Sequence, residues 1–326
     1  MMIRTKFSDL LGIEHPIALG GMGGGFTRPG MVAAVSEAGG FGALSCNGLS
    51  PDEIHDAAAK MRSHTEKPYA LNFLLFLTDD ECFTAALKEK PAAIALAWPR
   101  PEQDLKSFID RSHEAGCKVT LMAGTVPAPE RGVEAGADVI IAQGTEGGGH
   151  VGWMASMVLT PMIVDAVSPV PVLSAGGIAD GRGLAAALAL GADGALLGTR
   201  FIASDESPIH ENFKQAIVDS DGHDTVLTEI TDLAAGVVWP GAMSRVKRNR
   251  LVERWIGREW DLRRDQAQAF ARIQAARKEG DVEETPLSYG QDAGLIHDIL
   301  PAGEIVRRIA EEAETILTKK ISSLVA

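Results

Sequence analysis

Basic charge is scarce in this chain. Its 326 residues include 31 Lys and Arg against 44 Asp and Glu, so the formal net charge is −13 at pH 7. Nucleic acids and anionic membrane surfaces attract proteins through basic patches. The charge balance therefore argues against both as main partners and favours a small-molecule substrate.

Long hydrophobic runs are missing too, because no stretch of about 18 apolar residues is present to span a bilayer. The composition, 45% hydrophobic and 23% charged, is typical of a globular protein in water. Residues 1–9 lack the apolar segment of a secretory signal. We expect a cytoplasmic protein with no membrane partner.

Cysteine is rare, with only Cys46, Cys82 and Cys117. Three widely spaced cysteines without a C-x-x-C motif indicate neither a disulfide framework nor a zinc site. We expect no bound metal, reduced thiols, and buried positions for Cys46 and Cys117.

One phrase recurs along the chain: a helix-like segment, then Ala-Gly or Leu-Gly, then a short apolar stretch. Its glycines are Gly39, Gly116, Gly136 and Gly191. Each is placed as the C-terminal cap of a helix, with a strand beginning shortly afterwards. Short apolar strands that alternate with helices predict a parallel sheet covered by those helices.

Eight strands follow from this pattern. They are predicted at residues 16–19, 41–45, 69–73, 93–97, 119–123, 139–143, 170–174 and 195–198, with helices between most of them at 28–38, 51–62, 79–89, 101–115 and 183–190. Eight strand–helix units in about 200 residues predict an α/β fold of the (β/α)8 TIM barrel type rather than an open doubly wound sheet.

The pattern changes after the eighth strand. Residues 204–284 are more charged and too long for a loop, with helices predicted at 246–257 and 261–278. We interpret this segment as a C-terminal helical excursion, or lid, over a barrel built from residues 1–203 and 285–326. An amphipathic helix at 302–321 is expected to complete the outer ring.

A basic cluster stands out within the excursion, formed by Arg245, Lys247, Arg248 and Arg250. Such a cluster is typical of a solvated helix face or of structural ion pairs. Contact with an anionic ligand is the alternative.

The carboxyl ends of the strands are where barrel enzymes place their active sites. The loops after the last two barrel strands often bind phosphate through backbone N–H groups. Here these loops carry Gly176 and Gly177 after the seventh strand, and Gly198 and Thr199 after the eighth. The sequence therefore predicts an anion site at this position.

A glycine-rich segment, residues 143–152, follows the sixth strand and includes His150. Glycines at a strand end let the backbone approach a ligand closely. Histidine suits proton abstraction near neutral pH. A ligand-facing loop with a catalytic base is therefore one interpretation, and a flexible surface loop with an incidental histidine is the other.

Phosphate at the seventh and eighth strands, with glycines making room at the first and sixth, suggests flavin mononucleotide (FMN) lying across the barrel mouth. Asn72 and Gln143 end the third and sixth strands, and their amides both donate and accept hydrogen bonds. The candidate cofactor contacts are Gly21, Met22, Asn72, Gln143, Gly148, Gly149, Ser174, Gly176, Gly177, Leu197, Gly198 and Thr199.

With these residues assembled, the chain resembles the nitronate monooxygenase family, formerly called 2-nitropropane dioxygenases. The matching segments are residues 15–17, 20–22, 72, 143–152, 174–181, 198–201 and 289–296. The resemblance implies FMN as cofactor and a reaction in which an alkyl nitronate gives an electron to the flavin and reacts with O2, yielding a carbonyl compound and nitrite. It also implies that His150 is the base for neutral nitroalkanes. A homodimer is a further expectation.

Two other functions stay open. The first is an NAD(P)H-dependent FMN reductase acting on quinones or an enoyl thioester, with Arg100 or the basic cluster as nucleotide contacts. The second is a phosphate-binding barrel without redox chemistry, in which His150 is structural.

Overall fold

The computed structural model describes residues 3–125 and 127–324. Numbered in chain order, the barrel strands are β1 (Ile17–Leu19), β2 (Gly42–Ser45), β3 (Tyr69–Leu74), β4 (Ala93–Ala97), β5 (Lys118–Ala123), β6 (Val139–Gln143), β8 (Val172–Ala175) and β9 (Gly194–Leu197). They form one parallel sheet in the order β1-β9-β8-β6-β5-β4-β3-β2. A parallel bridge between Ala18 and Phe41 joins its two edges. The TIM barrel prediction is confirmed.

The helices of the barrel alternate with these strands. They are α1 (Lys6–Leu11), α2 (Pro29–Glu37), α3 (Pro51–His64), α4 (Asp80–Lys88), α5 (Leu105–Glu114), α6 (Pro127–Ala135), α7 (Ser156–Val167), α8 (Gly181–Ala189) and α9 (Thr199–Ile202). Their starts follow local chemistry: Ser50 caps α3 by accepting the Glu53 N–H, and Asp180 caps α8 by accepting those of Arg182 and Gly183.

The barrel interior has unusually small side chains. Alternate strand residues point inward, and four of these on β1 to β4 are alanines: Ala18, Ala43, Ala70 and Ala95. Helix α1 closes the amino end of the barrel, where Phe7 meets Phe41 edge-on with ring centroids 6.0 Å apart. The remaining space is a cavity that reaches up to side chains at the carboxyl end. This cavity is lined at its carboxyl end by Gly21 and Asn72.

The excursion differs from its prediction because it contains strands as well as helices. Its elements are α10 (Glu211–Val218), β10 (Thr225–Thr228), α11 (Ile230–Ala235), β11 (Met243–Lys247), α12 (Arg250–Trp255), α13 (Glu259–Arg264) and α14 (Gln266–Glu279). Strand β11 pairs antiparallel with β10 and with β7 (Gly149–Val151).

Two helix predictions in the excursion are corrected. The helix predicted at 246–257 begins as strand, since Val246 pairs with Val226 and is fully buried. Helix α12 starts only after Asn249, whose side chain accepts the Val252 N–H. The helix predicted at 261–278 is two helices, α13 and α14, which meet at Asp265.

The last outer helix is α15 (Ala302–Thr315), which continues as a wider π-type turn through Ile316–Lys320 rather than as the α-helix predicted to residue 321. Its apolar face, with Ile305, Ile309 and Ala313 buried, packs against α8 and α2. Lying between α8 and α2, helix α15 completes the outer ring of helices.

Within residues 3–125 and 127–324, no helix has both the length and the hydrophobicity of a membrane span. The same residues hold no grouping of acidic, histidine or cysteine side chains suited to a metal ion. Cys46, Cys82 and Cys117 are free thiols, and Cys46 and Cys117 are buried as predicted.

Candidate active site

Two amides stand at the carboxyl end of the barrel with unused acceptors. Asn72 on β3 donates from Nδ2 to the Ala95 carbonyl at 3.2 Å, but its buried Oδ1 accepts no hydrogen bond. The buried Oε1 of Gln143, at the end of β6, is also without a partner. An unpaired buried acceptor costs about 1–3 kcal/mol. Such a cost is typical of groups whose partner is a bound ligand.

Gly21 lies against Asn72, and its missing side chain is what permits this approach. A Cβ at Gly21 would come within 2.3 Å of the Asn72 Cβ, a distance that no side chain tolerates. On the neighbouring side, the Met22 sulfur lies near Gly198, 3.4 Å from where a Cβ would be. The β1 loop therefore brings together predicted contacts from β3 and β9.

The glycine-rich loop packs against the chain that precedes α15. A Cβ at Gly148 would lie 2.5 Å from the Tyr289 Cα, so this glycine makes room for protein rather than for a ligand. Gly290, which follows Tyr289, donates its N–H to Oγ1 of Thr199 at 2.9 Å. The β6–β7 loop, residues 289–290 and Thr199 thus form one packed unit.

Gly176 and Gly177 follow β8 in left-handed conformations, with φ of 92° and 74°. They lie beside the same loop, because a Cβ at Gly176 would be 2.9 Å from the Gly144 carbonyl oxygen. Gly149, also left-handed with φ of 71°, begins β7. The backbones after β6 and β8 and the Gly290–Thr199 contact therefore lie next to one another.

Two predicted contacts point elsewhere. The Ser174 hydroxyl is hydrogen-bonded to Oγ1 of Thr160 on α7 at 2.8 Å. Leu197 is buried in the layer between sheet and helices. Only the backbones of these two residues are placed to contact a ligand at the barrel mouth.

His150 lies on β7, held in place by the excursion. Its backbone register pairs it with Ser244 on β11. Its Nε2 lies 2.9 Å from Oδ1 of Asp232 on α11, and the two side chains are only 17% and 12% exposed. A mostly buried histidine in contact with a carboxylate has a fixed ring orientation. A carboxylate that orients an imidazole is one arrangement found beside general bases.

An aromatic cluster begins at this histidine. The Trp239 indole stacks on the imidazole with ring centroids 3.3 Å apart. Phe76 and Trp98 pack against Trp239 at 4.8 and 6.0 Å. Trp98 has a φ of 54°, a strained backbone state that costs about 1–3 kcal/mol and is concentrated at functional sites. One face of the His150 imidazole is therefore covered by an aromatic cluster.

Asp232, Trp239 and Phe76 are the site residues that the sequence did not reveal. Asp232 lies 82 residues after His150, and nothing in its local pattern separates it from other acidic residues of the excursion. The positive φ of Trp98 has no sequence signal either, since it lies in a stretch typical of any strand end.

The basic cluster is engaged within the protein. Arg245 is buried, where it donates from Nε to the Thr145 carbonyl at 2.9 Å and from Nη1 to the Thr225 hydroxyl at 3.1 Å. The other three side chains form ion pairs: Lys247 with Asp224, Arg248 with Glu253, and Arg250 with Glu283 and Glu284. Structural ion pairing therefore accounts for most of the cluster.

The fold and this site define the protein as a flavin-dependent oxidoreductase built on a (β/α)8 barrel. The sequence model of the nitronate monooxygenase family matches residues 4–90 and 77–312, and the chain belongs to this family. The family resemblance seen in the sequence is confirmed.

Its relatives carry more than one activity in their names. A Mycobacterium tuberculosis protein is 37% identical over 78% of this chain and 69% of its own length. It is named (3aS,4S,5R,7aS)-5-hydroxy-7a-methyl-1-oxo-octahydro-1H-indene-4-carboxyl-CoA dehydrogenase. A probable nitronate monooxygenase of Staphylococcus aureus is 30% identical over 98% of this chain and 100% of its own. Among solved structures, FabK from Thermotoga maritima is 35% identical with a TM-score of 0.88, covering 99% of this chain and 100% of that one.

Proposed function

We propose that this protein oxidises alkyl nitronates with FMN and O2 to carbonyl compounds and nitrite, and that it accepts neutral nitroalkanes through proton abstraction by His150. The observation that carries the proposal is the His150–Asp232 pair, which is mostly buried and has the Trp239 indole stacked on the imidazole. A nitroalkane is a carbon acid, and a positioned histidine is the usual base for such a proton at neutral pH.

FMN fits the residues at the barrel mouth. Its ring and ribityl donors would satisfy Oδ1 of Asn72 and Oε1 of Gln143, the two buried acceptors without partners. Backbone N–H groups at Gly176, Gly177 and Thr199 would hold its phosphate. The remaining contacts would come from Gly21, Met22, Gly149 and Gly198, and from the backbones of Ser174 and Leu197. Gly148, which packs against Tyr289, would hold the loop in place. The flavin supplies the electron-transfer chemistry that no side chain offers.

The contact with Asp232 sets the chemistry of His150. When Nε2 carries the ring proton and donates it to the Asp232 carboxylate, Nδ1 has the free lone pair and accepts the substrate proton. The imidazolium formed in this step is stabilised by the neighbouring carboxylate. A preformed nitronate has no proton to give up, so with this substrate the His150 ring is a polar contact and not a base. Asp232 is therefore a positioning residue, and His150 is the base.

The excursion completes this site. Residues 204–284 supply Asp232 and Trp239, while the barrel supplies His150, Phe76 and Trp98. We propose that the excursion acts as a lid whose aromatic face excludes water from the reacting carbon. The pocket wall suits the alkyl chain of a small nitronate.

The test begins with the absorption spectrum of the purified protein, which should be yellow with bound FMN. Nitrite release and O2 consumption are then measured with propyl-2-nitronate and with neutral 2-nitropropane. The proposal requires turnover with the nitronate. A flavin-loaded protein that consumes no O2 with any nitronate would contradict it.

A second candidate is redox chemistry on an acyl thioester. It is favoured by the relative at 37% identity, whose name specifies a carboxyl-CoA dehydrogenase. His150 would then be the base for the carbon next to the thioester carbonyl. Rapid bleaching of the flavin by NADH or NADPH, followed by reoxidation with an enoyl-CoA, would favour this function over nitronate oxidation, as would direct bleaching by a CoA thioester.

A further inference from the structure

A buried carboxyl lies directly behind the predicted phosphate site. Asp292, in the 3-10 turn Gln291–Leu295, is 5% exposed. Its side chain lies next to the Thr199 hydroxyl, which acts on the pKa of this carboxyl. Its Oδ1 has no hydrogen-bond partner and lies in the tight packing around Gly290, 2.3 Å from where a Cβ of that glycine would be. The proposed nitronate chemistry does not use this group.

The surroundings of Asp292 hold no cation that would keep it ionised. Glu146, on the β6–β7 loop, is the charged group that acts on it. Helix α9 contributes Thr199, and its Arg200 is paired with Asp298 instead. Helix α10, which packs against the same turn, contributes the buried apolar side chains Phe213 and Ile217. Its buried Lys214 is paired with Glu211 and donates to the Asp205 carbonyl instead. Burial raises the pKa of Asp292 to about 7, with Glu146 acting in the same direction and the Thr199 hydroxyl opposing it.

The Thr199 hydroxyl can donate one hydrogen bond, and the protonation state of Asp292 decides which acceptor receives it. Its Oγ already accepts the Gly290 N–H at 2.9 Å. If Asp292 is ionised, the hydroxyl donates its proton to the carboxylate and has none left for a ligand. If Asp292 is the neutral acid, it donates to Oγ, and the hydroxyl proton becomes free to point outward.

We propose that Asp292 is a positioning residue of the cofactor's phosphate site, which as the neutral acid donates to Thr199 and frees that hydroxyl to donate to a phosphate oxygen. This inference rests on the proposed function, because it needs the phosphate of FMN at Thr199. A phosphate dianion also disfavours the ionised carboxylate through charge repulsion. Binding FMN above neutral pH therefore transfers one proton from solvent to Asp292.

Proton uptake is measured by titrating the flavin-free full-length chain with FMN in a calorimeter. At about pH 8, two buffers of different ionisation enthalpy are used, and the wild type is expected to take up about one proton per FMN. Riboflavin, which lacks the phosphate, is the control ligand and should bind without this uptake.

Two variants show which residue takes up the proton. Asp292→Asn keeps a permanent donor toward Thr199, so it should bind FMN with almost no proton uptake and lose less affinity than the wild type at high pH. Thr199→Val removes the hydroxyl, so it should weaken FMN binding and leave riboflavin binding nearly unchanged. If Asp292→Asn does not fold, the wild-type comparison of FMN with riboflavin and the Thr199→Val result still decide.

The outcomes separate the two proposals. No uptake in the wild type, equal uptake with riboflavin, or unchanged uptake in Asp292→Asn would each overturn the role of Asp292 while leaving FMN chemistry intact. Unchanged FMN affinity in Thr199→Val would do the same. Failure of the wild type to bind FMN at all would overturn the proposed function itself.

Discussion

The indole of Trp239 lies flat on the imidazole of His150, with ring centroids 3.3 Å apart and planes inclined by 10°. Trp239 comes from the loop between α11 and β11, whereas His150 belongs to the loop that follows β6. One face of the imidazole is therefore covered by the excursion, and a molecule that contacts the ring must approach its edge or displace the indole. This contact links the shape of the pocket to the position of the base.

Replacing this indole should change substrate preference. Trp239→Leu removes a stacking contact worth about 0.5–1.5 kcal/mol and widens the pocket. We expect kcat/KM for short nitronates to fall several-fold, with a smaller loss or a gain for bulky chains. Steady-state kinetics over a series of chain lengths checks this. Trp260→Leu, at a 79% exposed tryptophan, is the control, and an equal loss at every chain length would contradict the prediction.

His150→Ala should separate proton abstraction from flavin binding. We expect FMN to remain bound and kcat/KM for neutral nitroalkanes to fall by roughly 100-fold or more, the usual contribution of a general base. Preformed nitronates, which need no base, should lose much less. The ratio of the two activities is the measurement.

A matched control is available at the opposite end of the barrel. His113 also places its Nε2 near an aspartate, 2.8 Å from Oδ2 of Asp138, and Asp138 precedes β6. His113→Ala should leave both activities near wild type. Normal turnover of nitroalkanes by His150→Ala would remove the role assigned to that residue.

Much of the barrel was predictable because its strands and helices follow local rules. The recurring glycines Gly39, Gly116, Gly136 and Gly191 all adopt left-handed conformations just after helices, as their spacing indicates. The excursion was not predictable in this way, because β11 buries Ser244, Arg245 and Val246 in succession. A strand with consecutive buried residues and basic charge lacks the period-two pattern that identifies strands.

The candidate site divides in the same way. Residues at strand ends, such as Asn72 and Gln143, were identified because parallel strands present their carboxyl ends together. Asp232 and Trp239 were missed because their role depends on a tertiary contact between β7 and β11. No periodicity reports a contact of that kind.

Gln143 should affect stability and cofactor affinity in opposite directions. Its buried Oε1 lacks a partner in the protein, so Gln143→Leu removes an unsatisfied acceptor at little change in size. We expect the flavin-free chain to keep or gain free energy of unfolding, while FMN binds about tenfold more weakly for one lost hydrogen bond. Urea unfolding and flavin fluorescence titration measure the two quantities. Lower stability with unchanged FMN affinity would contradict the account.

Asp292 should make the stability of the flavin-free chain depend on pH. Its pKa rises from 3.8 to about 7 on folding, so between these values the folded state binds a proton that the unfolded state has lost. The contribution of Asp292 to the free energy of unfolding is therefore fully present at low pH and declines as pH rises toward about 7. Asp292→Asn should gain stability relative to wild type across that window, as measured by urea unfolding at several pH values. A pH-independent difference would show that the group does not titrate in this way.

The central claim, that a nitronate reduces the flavin held at this barrel mouth, is tested most directly by anaerobic mixing of the flavin-loaded protein with propyl-2-nitronate while the flavin absorbance is recorded. The account predicts loss of the oxidised flavin band with the nitronate, and its return when O2 is admitted. An unchanged spectrum with the nitronate, together with rapid bleaching by NADH, NADPH or a CoA thioester, would contradict it.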